Sequence, residues 1–291
     1  MPEHERVSSL RARLTQMMAL AGIPLPGLEA DRLVCGALGV LRASLHAHPE
    51  RALLGEELER AVEFGKRRAA GEPLAYILND AIFRGRGFFV DKRALIPRPE
   101  TETATCLAGA YLERIGHGVF ADWCTGSGCI AITLLAGNPG FEAYAADSSP
   151  GALDVAKHNA RLHGVDDRVK FIECADPAEA AAIAPASLDM IISNPPYIPE
   201  AAIETLETQV KDHEPREALN GGPDGLRVIK MLLSRLPFFM KLGAPLFLET
   251  GGSDQIEHIA TAGQYIADNM KLEQIFKDHR GIARFMLWRK L

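Results

Sequence analysis

The chain of 291 residues contains no apolar run near the ~20 residues that a bilayer-spanning helix requires. Its opening text, MPEHERVSSLRARL, carries charges where a secretion signal would need an apolar stretch, so a cytoplasmic protein without membrane attachment is expected. Cysteine is scarce. The five cysteines (Cys35, Cys106, Cys124, Cys129 and Cys174) are odd in number and form no C-x-x-C pair, which argues against a disulfide framework or a zinc site. The nine histidines show no H-E-x-x-H or paired-ligand spacing, so no metal is expected. Basic charge is not in excess: 32 Lys and Arg face 38 Asp and Glu, a net charge of −6, so bulk charge gives no affinity for nucleic acid. What is there, 47% hydrophobic and 24% charged residues, is globular composition and excludes wholesale disorder, collagen and coiled-coil rods. The length suits two domains at ~150 residues each.

The chain changes character near residue 85. Before it, Val7, Leu10, Leu14, Met17, Met18 and Ala21 recur at helical spacing, and Gly22 with Pro24 stops the run. Asp31–Leu41 and Leu53–Ala70 repeat that periodicity, and Gly71 ends the second. Strand-like alternation is absent, so residues 1–82 read as a small all-helical domain. Residues 83–100, FRGRGFFVDKRALIPRPE, suggest a hairpin and then a connector held extended by Pro97 and Pro99 before a helix near Thr101. Residues 101–291 alternate strands and helices. Strands are expected at Val119–Trp123, Glu142–Ala146, Val169–Cys174, Leu188–Ser193 and Pro245–Glu249, followed by two more at the C-terminus. Helices are expected at Cys129–Ala136, Ala152–His163, Leu226–Lys241 and Ile256–Ala267. This alternation predicts an α/β, doubly wound, mostly parallel sheet.

Two segments carry chemistry. The first is the strand–loop–helix containing Asp122-Trp123-Cys124-Thr125-Gly126-Ser127-Gly128. Glycine there permits a tight turn and lets a ligand approach the backbone, but the G-x-G-x-x-G spacing of a dinucleotide site is absent. Asp147 ends the next strand, where a carboxylate can accept hydrogen bonds from both hydroxyls of a ribose; the alternative is a solvated helix-start residue. The second segment is Asn194-Pro195-Pro196-Tyr197, directly after an apolar strand. Two prolines make a stiff loop whose carbonyls are free to accept hydrogen bonds, Asn194 offers an amide at the carboxyl end of a strand, and Tyr197 offers a flat face.

The glycine loop, Asp147 and the Asn-Pro-Pro-Tyr loop together resemble the AdoMet-dependent methyltransferases of planar amide or amino nitrogens. Gly71-Glu72-Pro73-Leu74-Ala75-Tyr76-Ile77, Phe83 and Leu95-Ile96-Pro97-Arg98-Pro99-Glu100-Thr101-Glu102 narrow the likeness to the release-factor glutamine methyltransferases, the HemK/PrmC family. His213-Glu214-Pro215 and Gly221-Gly222-Pro223-Asp224-Gly225-Leu226 extend it over nearly the whole chain. The resemblance implies a seven-stranded methyltransferase domain behind a helical substrate-docking domain. It also implies AdoMet as cofactor, class I peptide-chain release factors as partners, and the glutamine of their Gly-Gly-Gln motif as the methylated residue. Cys124, Thr125, Gly126, Ser127, Gly128, Asp147, Asp176, Pro177 and Asn194 would line AdoMet. Asn194 and the Pro195 carbonyl would accept the substrate amide hydrogens, with Pro196 and Tyr197 beside the group.

Three departures from the family pattern stand out. Cys124 replaces a usual glycine, Pro177 a frequent aromatic, and Thr250 a common histidine. Alternatives with the same loops are a glutamine methyltransferase of a ribosomal protein, an adenine-N6 nucleic-acid methyltransferase and a non-catalytic AdoMet-binding scaffold. Between Lys66 and Arg98 the local charge is +5, which reads either as a docking surface for an acidic protein or as solvated charge. His213 and Glu214 read as a solvated loop pair. A monomer without stable nucleic-acid binding is expected.

Overall fold

The computed structural model describes residues 4–266 and 269–291. The chain divides into two compact units. One runs through Asp80 and takes in Glu207–His213; the other comprises Ala81–Leu206 and Glu214–Leu291.

In the first unit, helices α1 (Val7–Leu20), α2 (Pro26–Leu38), α3 (Arg42–Ala47), α4 (Gly55–Ala69) and α5 (Leu74–Leu78) surround a core that includes Leu10, Leu14, Val34, Leu58 and Val62. The all-helical expectation is corrected by a short antiparallel pair, β1 (His4–Arg6) with β2 (Ala52–Leu54). Three-residue strands are too short to show a period-two pattern. Helix α2 starts at Pro26, ahead of the expected Asp31, because proline is suited to the first helical turn. Asp31 is buried on α2, where Arg11, Arg42 and His46 bond its carboxylate at 2.7–2.9 Å.

The second unit opens with the hairpin β3 (Ala81–Phe83) and β4 (Arg86–Phe88), then α6 (Thr101–Ile115). Its sheet contains β5 (Gly118–Trp123), β6 (Phe141–Asp147), β7 (Val169–Glu173), β8 (Met190–Ser193), β9 (Pro245–Glu249), β10 (Met270–Lys277) and β11 (Ala283–Lys290). The order across it is β10-β11-β9-β8-β5-β6-β7, parallel except for β11, which runs antiparallel to both neighbours. Helices α7 (Cys129–Gly137), α8 (Pro150–Leu162), α9 (Arg227–Arg235) and α10 (Ser253–Ile266) connect the strands; the expected end of the last helix, Ala267, lies outside the described residues. The expected helix Leu226–Lys241 ends at Arg235 and continues as a 3₁₀ turn, since Pro237 cannot donate to an α-helical bond.

The chain leaves β5 toward β6 and β7 on one side, then returns to place β8 and β9 on the other. This reversal opens a crevice at the carboxyl ends of β5 and β8, where doubly wound sheets bind ligands. Both glycine-loop and Asn-Pro-Pro-Tyr segments begin there.

Candidate active site

Asp122 organises the first loop from beneath. It is completely buried, and its Oδ2 accepts the Thr125 hydroxyl at 2.7 Å and the Ala131 N–H at 3.1 Å. Burial pushes its carboxyl up to about 7, against the lowering effect of those two bonds. The backbone then enters the left-handed region at Cys124, with φ of 62°. A non-glycine residue there sets Cβ against the carbonyl, at ~1–2 kcal/mol. Gly128, at φ of 80°, has no alternative: a Cβ would lie 2.8 Å from the Ile132 side chain and 3.0 Å from Ala156 Cβ.

Asp147, at the end of β6, faces the same loop. Its Oδ2 accepts the Gly126 N–H at 2.8 Å and its Oδ1 the Ser149 N–H at 3.0 Å. Burial raises its pKa, partly countered by these bonds. Each carboxylate oxygen has a second lone pair, so both can still accept from a ligand hydroxyl. The helix cap of α8 is Ser149, whose hydroxyl accepts the Ala152 N–H.

A cavity of about 540 Å³ is walled by Trp123, Cys124, Asp147 and Cys174 on the sheet side and by Val228 and Met231 of α9 opposite. Two smaller cavities share Cys124 and Gly126 with each other and also include Asn194 in their walls. Thr125 and Ser127 line the second of these. The expected AdoMet residues Cys124 to Ser127, Asp147 and Asn194 therefore meet along one cleft. Asp176 and Pro177 are not in these walls: Asp176 caps a 3₁₀ turn by accepting the Ala178 N–H, and Pro177 is buried as its first residue. Cys174 and Ala175 occupy the wall instead.

In the second loop, Asn194 Nδ2 donates to Thr101 Oγ1 at 3.1 Å, leaving its Oδ1 end without that partner. Pro196 lines the cleft beside it. Pro195 is buried, and Tyr197 packs against the core, its carbonyl accepting Gln255 Nε2 at 2.7 Å.

Several contributors escape a reading of motifs. Asn159, fully buried on α8, accepts the Phe89 N–H and donates to the carbonyls of Phe89 and Ser127, all within 2.9 Å, tying connector to glycine loop. Glu214 corrects the expectation of a solvated loop residue: its side chain is 1% exposed and pairs with Arg98 at 2.6 Å while accepting the Ile96 N–H. Desolvation still raises its pKa despite the guanidinium. The basic segment is also less free than its charge suggests. Arg67 pairs with Glu72, Arg68 with Glu29 and Arg93 with Asp91. Among the described residues, Lys66, Arg84, Arg86 and Lys92 make no ion pair.

Comparison with known proteins gives this arrangement its context. The profile described as the PrmC N-terminal domain matches residues 9–78, and that of the methyltransferase small domain matches residues 100–222. The release factor glutamine methyltransferase of Chlorobaculum tepidum is 39% identical over 89% of this chain and 90% of its own length. That of Nitratidesulfovibrio vulgaris is 34% identical over 99% and 96%.

The chain belongs to the release factor glutamine methyltransferase family.

At the level of fold, the hMettl16 catalytic domain superposes with a TM-score of 0.56 at 16% identity, covering 82% of this chain and 84% of that one. The family fixes the class of chemistry as methyl transfer, and no helix among the described residues is long and apolar enough to cross a membrane.

Proposed function

We propose that this protein transfers a methyl group from AdoMet to the side-chain amide nitrogen of the glutamine in the Gly-Gly-Gln motif of class I peptide-chain release factors. The observation that carries this reading is that Asn194 and Pro196 line the same cleft as Cys124, Gly126 and Asp147. The residues present suit AdoMet. Gly126 has open space where a Cβ would stand, Asp147 offers two acceptors to vicinal hydroxyls, and the cavity volume lies within the ~300–1,000 Å³ of small-molecule sites. Bound AdoMet supplies a methyl group on a positively charged sulfur.

The protein's part is orientation and electrostatics. An amide nitrogen is a weak nucleophile because its lone pair is delocalised into the carbonyl. Asn194 Oδ1 and the Pro195 carbonyl would accept its two hydrogens and fix its direction. Their partial negative charges stabilise the positive charge that grows on nitrogen as the methyl group arrives, and the methylated amide, strongly acidic while it carries its extra proton, then loses that proton to water. Tyr197 stiffens the loop from within. The helical unit through Asp80 serves as the docking element for a monomeric enzyme's protein substrate, with Arg84 and Arg86 as free cations on the hairpin of the catalytic unit.

The test is calorimetry with AdoMet, followed by methyl transfer to intact release factor and, separately, to adenine-containing DNA. AdoMet binding with transfer to release factor alone supports the reading. Transfer to DNA alone would move the substrate assignment to adenine, and AdoMet binding with neither transfer would make the protein a scaffold.

A further inference from the structure

The Asn194-Pro195-Pro196-Tyr197 loop cannot be tied down by backbone N–H groups at two of its four positions, because proline has none. At its entry the tie is a side chain, with Asn194 Nδ2 donating to Thr101 Oγ1. At its exit the peptide joining Tyr197 to Ile198 is held at both polar ends. Its N–H donates to the Leu219 carbonyl at 3.0 Å, and its carbonyl accepts Gln255 Nε2 at 2.7 Å.

Gln255 lies in the first turn of α10, and its other end is taken too: Oε1 accepts the Gly251 N–H at 2.8 Å. The two ends of a side-chain amide are nearly isosteric. A carbonyl can only accept, however, and a backbone N–H can only donate, so these partners fix the Gln255 amide in one orientation. Glycine makes the room for it. A Cβ on Gly225, where φ is 74°, would run into the Tyr197 carbonyl oxygen and lie 2.5 Å from Gln255 Nε2. A Cβ on Gly251 would lie 2.8 Å from Gln255 Oε1 and 3.2 Å from the Tyr197 ring. The loop before α9, the turn after β9 and the start of α10 thus close on one carbonyl.

We propose that Gln255 is a positioning residue, which sets the direction of the Pro195 carbonyl from the far end of the loop. The φ angles of Pro195 and Pro196 are locked and peptide units are planar, so few backbone rotations can absorb a displacement at Tyr197. A shift of the Tyr197 carbonyl therefore passes back to the Pro195 carbonyl. The inference rests on the proposed role of that carbonyl as an acceptor of the substrate amide. Gln255 is not among the described residues that wall the cleft, so its loss should fall on turnover and spare the cofactor.

The experiment measures kcat and KM on a Gly-Gly-Gln peptide at saturating AdoMet, with AdoMet Kd by calorimetry. Gln255→Glu keeps an oxygen for the Gly251 N–H but sets a second acceptor against the Tyr197 carbonyl. Its kcat should fall about tenfold, with peptide KM and AdoMet Kd within about twofold of wild type. Gln255→Met, of similar length but without either bond, should show the same split. Wild-type kcat in Gln255→Glu would overturn the proposal. So would losses shared equally among kcat, KM and AdoMet Kd, the pattern of a general structural defect. Gly225→Ala pushes on the same pair from another segment and should reproduce the kcat-selective loss. Unchanged kcat there would overturn the proposal even if the Gln255 variants do not fold. Asn194→Ala separates the two levels: near wild-type kcat there defeats the proposed function itself, whereas an inactive Asn194→Ala with a fully active Gln255→Glu defeats only the positioning role.

Discussion

Cys124 is the residue at which local cost and function meet. Its positive φ is imposed by the turn between β5 and α7, and the residue lines the cleft. Replacing it by glycine relieves the strain, whereas alanine keeps it and removes the same sulfur. Cys124→Gly should therefore be more stable than Cys124→Ala by about 1 kcal/mol in urea unfolding. Equal stability would mean that the conformation carries no cost. Asp147 combines a binding and a structural task. As a ribose acceptor, its loss should weaken AdoMet binding by ~1–3 kcal/mol. Because it also holds the Gly126 and Ser149 N–H groups, Asp147→Ala should lower the melting temperature of the ligand-free protein as well. Unchanged AdoMet affinity by calorimetry would leave it only that structural task.

At the scale of elements, the Arg98–Glu214 pair links the connector before α6 to the loop that follows the second motif, across 116 residues of sequence. Breaking one side leaves the other partner's charge partly or wholly buried. Arg98→Met and Glu214→Gln should each destabilise, and their double variant should recover part of the sum, with a coupling of about 1.5–3 kcal/mol. Strict additivity in urea unfolding would show the pair to be energetically idle. Such long-range partners explain what could be read from sequence and what could not. The sheet strands of the second unit are apolar runs bounded by turns, so periodicity and composition reveal them. The residues that brace the site do not advertise themselves. Asn159 looks like any polar residue on an amphipathic helix, Thr101 like a helix-start residue, and Glu214 like loop charge. Their roles follow from what the fold brings beside them. Asp176 and Pro177 show the same limit in reverse, since a position at a strand end does not fix the direction of a side chain.

Across the whole molecule, buried carboxyls make stability depend on pH in a particular sense. Asp122 and Glu249 are raised to about 7 in the folded state, so the folded chain binds more protons than the unfolded chain between roughly pH 4 and 7. Their contribution to stability is therefore greatest at low pH and is lost as pH rises through that window. Asp31, held down by Arg42, Arg11 and His46 against its own desolvation, acts in the opposite sense and loses its contribution as pH falls through its lowered value. The melting temperature of Glu249→Gln should accordingly decline less between pH 5 and 7 than that of the wild type. An identical slope would show that Glu249 titrates normally.

In the proposed function, Asn194 presents an acceptor to a glutamine amide in a release factor. The measurement closest to it is site-mapped methyl transfer to an intact class I release factor, by fragment mass spectrometry, comparing the wild type with Asn194→Ala at saturating AdoMet. The wild type should add one methyl group to the side chain of the Gly-Gly-Gln glutamine. Asn194→Ala should modify the same residue with kcat lower by about 10²–10³-fold while still binding AdoMet. A methyl group mapped to another residue, or near wild-type kcat in Asn194→Ala, would contradict the account.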